Sequence, residues 1–332
     1  MRILFTGASS LTGYWFANEL VRAGHDVVAI FQRASDAYDG IRAERVAAVA
    51  PLCRPTFTCS FGDRRFLDVI DGEKRWDALC HHAADVADYR SPDFDVGRAL
   101  ENNTRNLGQV LMALRARACR KLVLTGSAFE NDEGAGSEDL PAFSPYGLSK
   151  GLTAQVFRYY AATSGMRLGK FVIPNPFGPF EDPRFTAYLI RTWQRGEVAV
   201  VQTPAYVRDN IHVSLLAKVY RRFVEGLSDE PGFERINPSG YVESQGRFAE
   251  RLAREMRTRL NLPCLLELKE QDEFREPRVR HNTDIPDAAS LDWRESDAWD
   301  EIAAYYAGDR EPPRGPSRSA PEGHGVPSSR RA

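Results

Sequence analysis

Tyr146 and Lys150 stand four residues apart in the stretch Ser144-Pro145-Tyr146-Gly147-Leu148-Ser149-Lys150, a spacing that sets both side chains on one face of a helix. A free phenol has a pKa of about 10, and a nearby ammonium favours its ionised form. Such a pair is suited to exchanging a proton with a carbinol or a carbonyl. The same spacing also describes a half-buried ring beside a solvated amine, so the elements that would position the two residues decide between the readings.

The chain opens with the apolar run Met1-Arg2-Ile3-Leu4-Phe5. It enters Thr6-Gly7-Ala8-Ser9-Ser10-Leu11-Thr12-Gly13 and then a helix-like stretch over residues 14–23. Strand, glycine turn and helix are the context of a dinucleotide fingerprint. Gly7 makes the tight turn, Gly13 allows close helix–strand packing, and the N–H groups around Ser9, Ser10 and Leu11 face a pyrophosphate. Ser10 stands where a middle glycine is usual, which makes backbone approach to the phosphates tighter. A second strand, residues 26–31, ends in Phe31-Gln32-Arg33. Phe31 occupies the position of the carboxylate that NAD-specific sites use for the ribose, and Arg33 suits a 2′-phosphate, so NADP(H) is favoured over NAD(H).

Strand-like and helix-like runs alternate to about residue 173, as expected of an α/β fold with a doubly wound parallel (Rossmann) sheet. The expected division gives a dinucleotide-binding domain over residues 1–173, with a return segment at about 206–236. A smaller, interleaved substrate lobe takes 174–205 and 237–307, with helices over 185–195 and 244–261 covering the substrate. Residues 213–227 are expected to return to the main lobe. From 308 to 332 the sequence has no apolar stripe and reads as a disordered tail.

With 332 residues, 42% hydrophobic content and a net charge of −2, the chain can bury a large core and gives no basis for nucleic-acid binding. Cys53, Cys59, Cys80, Cys119 and Cys264 form no CxxC pair, which suits a reducing cytoplasm. The sequence starts directly in a strand and has no apolar run of membrane-spanning length, so neither a signal peptide nor a membrane span is expected. His81, His82 and His212 show no metal-ligand spacing with the cysteines and read as structural, with no metal expected.

The order of motifs resembles the extended short-chain dehydrogenase/reductase superfamily, in particular its nucleotide-sugar NAD(P)-dependent epimerase/dehydratase family, from residue 1 to about 293. Phe61-Gly62-Asp63 is similar to the family's Gly-Asp at the adenine, and Ala83-Ala84 to the strand end beside the cofactor. Asn103 resembles the asparagine of the following helix. Leu122-Val123-Leu124-Thr125-Gly126-Ser127 is similar to the strand that delivers the catalytic serine, and Tyr146 with Lys150 to the Tyr-x-x-x-Lys pair. Pro174-Asn175-Pro176-Phe177-Gly178 resembles the segment whose first residue flanks the nicotinamide and whose asparagine meets the substrate diphosphate. Arg208-Asp209-Asn210-Ile211-His212-Val213 is similar to the segment whose arginine grips phosphate. The resemblance implies a second phosphate arginine at Arg278 or Arg280, with the substrate set completed by Ser127, Asn175, Arg208 and Arg278. It also implies a nucleotide-diphosphate sugar as partner and a homodimer.

Departures from the family pattern narrow the reaction. Members that dehydrate or decarboxylate a sugar carry an acidic residue within two positions of the serine. Here Ala128 and Phe129 follow Ser127, and strand alternation would send Glu130 to the opposite face. Two outcomes remain for a Ser127/Tyr146/Lys150 triad: a nucleotide-sugar 4-epimerase with a transient 4-keto intermediate, which leads, or an NADPH-dependent 4-ketosugar reductase. A non-catalytic NADP(H)-sensing protein on the same fold is the reading from another class.

Overall fold

The computed structural model describes residues 1–86 and 88–308. Its first half contains β1 (Arg2–Thr6), α1 (Leu11–Arg22), β2 (Asp26–Ile30), α2 (Gly40–Val49), β3 (Arg54–Thr56), α3 (Arg64–Asp71) and β4 (Ala78–His81). The chain continues through α4 (Val96–Thr104), α5 (Leu107–Ala116), β5 (Lys121–Ser127), β6 (Ala135–Gly136), α6 (Pro145–Thr163), β7 (Arg167–Ile173) and β8 (Asn175–Phe177). Next come α7 (Phe185–Gln194), β9 (Ala199–Val201), β10 (Val207–His212), α8 (Val213–Gly226), β11 (Gly232–Ile236) and β12 (Tyr241–Ser244). The last elements are α9 (Gln245–Leu260), β13 (Leu266–Leu268), β14 (Arg280–His281) and α10 (Glu295–Ala307).

Ile3, Leu4 and Phe5 are completely shielded because β1 lies inside a seven-stranded parallel sheet of order β11-β7-β5-β4-β1-β2-β3. A parallel sheet is covered on both faces, which explains why its strands read as continuous apolar runs. One face packs α1 and α8 through Phe16, Leu20, Leu216 and Tyr220, with Phe16 and Tyr220 stacked 4.0 Å apart. The other face packs α3, α5 and α6 through Phe66, Leu111 and Phe157. A third apolar cluster joins α7, α9 and α10 through Trp193, Phe248 and Trp299. The sheet and its helices form the α/β fold that the alternation predicts, and the helices expected over 185–195 and 244–261 are α7 and α9.

Two segments bear on the expected division. β10, inside the expected return segment, pairs with β8 and β12 in a separate three-stranded sheet, while its Ile211 is buried in the main core. Leu291 and Trp293, expected in the second lobe, pack on the α1/α8 side of the main core, and Trp293 Nε1 donates to Ser214 Oγ at 2.9 Å. Strand pairing decides the first and side-chain burial the second, and neither is visible to local pattern. Among the described residues no helix is long and apolar enough to cross a membrane. Gly308 closes α10 at φ +95, and the tail expected beyond it lies outside the described residues.

Candidate active site

Ser144 caps α6 by accepting from Gly147 N at 3.3 Å, and Pro145 occupies its first turn, both favoured residues at a helix start. The helix then presses closely on the loop that follows β5. A Cβ on Gly147 would overlap the Phe129 carbonyl, and one on Gly151 would lie 2.6 Å from Asn131 Oδ1. This approach seats Tyr146 and Lys150 over the carboxyl end of β5, where Ser127 ends the strand. Lys150 is buried and its Nζ donates to the Thr125 carbonyl at 2.6 Å. Ser127 is half-buried, and its Oγ accepts from Phe129 N at 3.2 Å. The rings of Tyr89 and Phe94 meet the half-buried Tyr146 ring edge-on, at 5.5 and 5.9 Å, while the Arg184 guanidinium lies 5.6 Å over Tyr89.

The electrostatics correct one expectation. Burial, and then the Glu130 carboxylate, push the Tyr146 phenol well above its ordinary value. Lys150 does not draw it down in this arrangement, because the ammonium is turned to Thr125. Burial lowers Lys150 itself to about 8, with Glu130 opposing and Lys170 adding to the effect. At neutral pH the pair is therefore a phenol beside an ammonium. Glu130 also departs from strand alternation. β5 stops at Ser127, the chain turns, and the carboxylate folds back so that Oε1 accepts from Ser127 N at 2.8 Å.

The Gly7–Gly13 turn fits a dinucleotide. Gly7 has φ +88, and a Cβ there would lie 2.7 Å from Ala83 N; one on Gly13 would overlap the Gly7 carbonyl. The helix start can thus approach the ends of β1 and β4 without side chains between. Ser10 has a definite task in place of the usual glycine. It caps α1, accepting from Gly13 N at 3.1 Å and donating to the Gly7 carbonyl at 3.0 Å. Ser9 and Ser10 are half-buried, and Leu11 is buried as the first helical residue. At the end of β2, Phe31 is buried against Phe57 at 4.9 Å, whereas Gln32 and Arg33 are exposed. No carboxylate occupies that strand end.

Other members of the expected cofactor set are held by the protein itself. Asp63 caps α3, accepting from Phe66 N at 2.7 Å and from Ser60 N at 2.8 Å. Asn103 bonds Asp85 N at 2.8 Å and Thr153 Oγ1 at 3.2 Å, tying α4 to α6. Ala83 and Ala84 lie just past β4 after His82, with Ala83 N donating to Thr6 Oγ1 at 3.0 Å. Pro174 is the single residue between β7 and β8. His82 does more than the sequence suggested. Its Nε2 meets Ser10 Oγ and Thr12 Oγ1, both at 3.0 Å, and its Nδ1 meets Thr125 Oγ1 at 2.9 Å, so one imidazole joins the glycine turn to β5. Burial foremost, with Lys150 adding, lowers it to about 3 and keeps it neutral. Arg45, also missed, is 1% exposed; it bonds the Phe180 carbonyl and pairs with Asp182 at 3.0 Å. Neither role has a local sequence signal, since each depends on partners far along the chain.

On the substrate side the arginines separate. Arg208 is buried. Its Nη1 donates to the carbonyls of Val207, Pro277 and Arg278, and its Nη2 pairs with Glu276 at 2.9 Å. The expected free fork for a diphosphate is therefore occupied. Arg280 is buried as well, donating to the carbonyls of Ala128, Glu130, Glu133 and Pro141. Of the two alternatives for the second arginine, only Arg278 is exposed, 4.4 Å over the Phe274 ring. Asn175 is half-buried on β8, in register with Asn210. His81 and His212 are buried and lowered to about 3 by burial.

Comparison with known proteins bears on the family and the fold. The model of the NAD dependent epimerase/dehydratase family matches residues 3–237. No curated protein matches the sequence. Among solved structures, a UDP-glucose-4-epimerase from Stenotrophomonas maltophila with bound NAD and formylated UDP-arabinopyranose is 20% identical, with a TM-score of 0.72 over 93% of this chain and 99% of that one. A UDP-glucuronic acid 4-epimerase mutant from Bacillus cereus, in complex with UDP-4-deoxy-4-fluoro-glucuronic acid and NAD, is 17% identical, with a TM-score of 0.70 over 93% and 99%. A dTDP-glucose 4,6-dehydratase from Streptomyces venezuelae with NAD bound is 18% identical, with a TM-score of 0.66 over 93% and 98%. At these identities the likeness is one of fold.

Proposed function

The chain belongs to the NAD dependent epimerase/dehydratase family, and on that premise we propose that it is a nucleotide-diphosphate-sugar 4-epimerase. The observation that carries this reading is the seating of Tyr146, Lys150 and Ser127 around the end of β5, with the carboxylate of the neighbouring acid committed to the Ser127 backbone and to Lys170. Glu130 is bonded to Ser127 N and Lys170, and Ala128 and Phe129 carry no acid. A group able to protonate a departing hydroxyl is thereby missing from the serine's side, which supports epimerisation over elimination. The dehydratase among the structural neighbours thus shares the fold and, on this reading, not the reaction.

A bound dinucleotide would supply hydride acceptance and return; Gly7, Ser9, Ser10, Leu11 and Gly13 would hold its phosphates, with Gln32 and Arg33 at its ribose and Ala83, Ala84 and Pro174 along its length. Tyr146 as the phenolate takes the proton of the sugar's C4 hydroxyl in the oxidising half and, as the phenol, returns it in the reducing half, with the Lys150 charge offsetting the burial that favours the phenol. Lys150 holds positive charge beside it, and the Ser127 hydroxyl orients the same oxygen. Tyr89 and Phe94 pack the Tyr146 ring and limit water around the phenol. Asn175 and exposed Arg278 meet the diphosphate, and Arg208 shapes the wall behind Arg278.

Buried Phe31 and exposed Arg33 support NADP(H) over NAD(H), although NAD is the dinucleotide named in the neighbouring structures. That preference favours the 4-ketosugar reductase as the second reading. A second copy of the chain on the outer faces of α5 and α6 is supported by exposed Met112, Tyr159 and Tyr160. The deciding experiment supplies UDP-glucose, UDP-galactose and UDP-glucuronate in turn with catalytic dinucleotide and follows C4 configuration by proton NMR. Convergence on one mixture from both epimers, without net consumption of reduced dinucleotide, is the expected result. Stoichiometric NADPH oxidation with a 4-keto sugar and no epimer exchange would replace the epimerase by the reductase.

A further inference from the structure

Behind the end of β5 lies a buried ion cluster for which the proposed chemistry has no direct use. Lys170, in the middle of β7, places its ammonium against Glu130 and Glu133, whose side chains are 0% and 3% exposed. Two carboxylates on one buried lysine are costly unless their remaining oxygens are bonded. They are: Glu130 Oε1 accepts from Ser127 N at 2.8 Å, and Glu133 Oε2 accepts from Asn237 Nδ2 at 2.9 Å with Arg235 Nη1 3.4 Å away. Arg280 fixes the same loop through the carbonyls of Ala128, Glu130 and Glu133.

Three consecutive residues connect this cluster to the proton-transfer pair. The Thr125 carbonyl accepts from Lys150 Nζ. A Cβ on Gly126 would fall 2.8 Å from Lys170 Cε and 3.0 Å from Glu130 Oε1, so the bare backbone is what lets the ions approach. Ser127 N is held by Glu130. From the other side, a Cβ on Gly151, the residue after Lys150, would lie 3.9 Å from Glu130 Cβ.

We propose that Glu130 is a positioning residue for the Tyr146–Lys150 pair: held from behind by Lys170, its carboxylate fixes the Ser127 backbone and with it the strand end whose Thr125 carbonyl receives the Lys150 ammonium. Glu130 opposes the burial that lowers Lys150 to about 8, and Lys170 works against it. The charged and titratable groups facing the pair are Glu130 after β5, Lys170 on β7, Arg184 before α7, Tyr89 after β4, and His81 and His82 at the end of β4. Both histidines stay neutral, so Glu130 is the carboxylate that sets the local charge.

The chain has six lysines, so lysine isotope-labelled at Cε gives NMR signals few enough to assign by Lys→Arg variants. In the parent, Lys150 is expected to titrate at about 8. Glu130→Gln keeps an oxygen for the Ser127 N–H and removes the charge; it should lower the Lys150 midpoint by about one pH unit. Glu130→Asp keeps the charge and should leave the midpoint within about 0.3 unit of the parent. Lys170→Met/Glu133→Gln removes one charge of each sign behind Glu130 and should raise it. An unchanged Lys150 midpoint in Glu130→Gln overturns the proposal, as does a fall of equal size in Glu130→Asp. If Glu130→Gln does not fold, an unchanged or lowered midpoint in the double variant overturns it instead. The titration is read without substrate, so its failure is distinct from failure of the epimerase reading, on which only the consequence for turnover rests.

Discussion

On the dinucleotide side of the site, the groups that would meet a ligand stand open: the start of α1, the half-buried Ser9 and Ser10, and exposed Gln32 and Arg33. On the substrate side, two of the three arginines that the motifs single out are enclosed and bonded to the chain's own carbonyls, which leaves Arg278 and Asn175. The contrast follows sequence distance. Gly7, Ser10 and Gly13 close their turn with bonds spanning three residues. Arg208 reaches partners up to 70 residues away and Arg280 partners up to 152 away. A local turn must present its backbone outward because nothing nearby can cover it, whereas a long side chain arriving from afar can be recruited to hold a loop together.

The largest expected effect lies where the two sides meet. Tyr146→Phe removes only the transferable proton, so turnover should fall by about 10²–10⁴ while dinucleotide affinity stays at the parent's value. Turnover within a few-fold of the parent would take Tyr146 out of the reaction.

The next pair of variants tests the substrate side directly. Arg280→Ala leaves four carbonyls without their donor and should cost about 2–4 kcal/mol, seen as a lower thermal midpoint. Nucleoside diphosphate affinity of the folded fraction should be little changed. Arg278→Ala should do the reverse: an unchanged midpoint and UDP binding weaker by about tenfold in calorimetry. If Arg280→Ala or Arg208→Ala lost UDP with no loss of stability, the enclosed arginines would be ligand groups after all, and the comparison would collapse.

A smaller effect is expected on the dinucleotide side. Arg33→Ala should weaken NADPH by about 1.5–3 kcal/mol, or one to two decades, and leave NADH nearly unaffected. Fluorescence titration of both cofactors separates this from equal weakening, which would return Arg33 to the surface. The smallest concerns Ser10. Ser10→Ala loses the cap to Gly13 N and the contact to His82, at a cost of about 1 kcal/mol in urea unfolding. No measurable cost would make the serine a neutral replacement for glycine.

Much of the site was legible because its signals are local. The four-residue spacing of Tyr146 and Lys150 specifies a helix face without reference to the rest of the molecule. The glycine turn and Phe31 at the end of β2 are likewise read from a dozen neighbouring residues. Glu130 misled for a physical reason: alternation holds only while a strand continues, and β5 ends three residues earlier. Arg208 misled because a motif names a residue type suited to phosphate but not what surrounds it.

The sequence by itself determined the parallel α/β architecture, the strand–turn–helix that opens it, and the helix face shared by Tyr146 and Lys150, since periodicity and turn chemistry act over a few residues. Only the tertiary structure decided which arginine is open, that His82 joins the glycine turn to β5, and that Lys170 sits with Glu130 and Glu133 behind Ser127. Each of these is a question of which polar groups are shut away from water together. The answer depends on desolvation and pairing between residues that the chain brings close only when the sheet is complete.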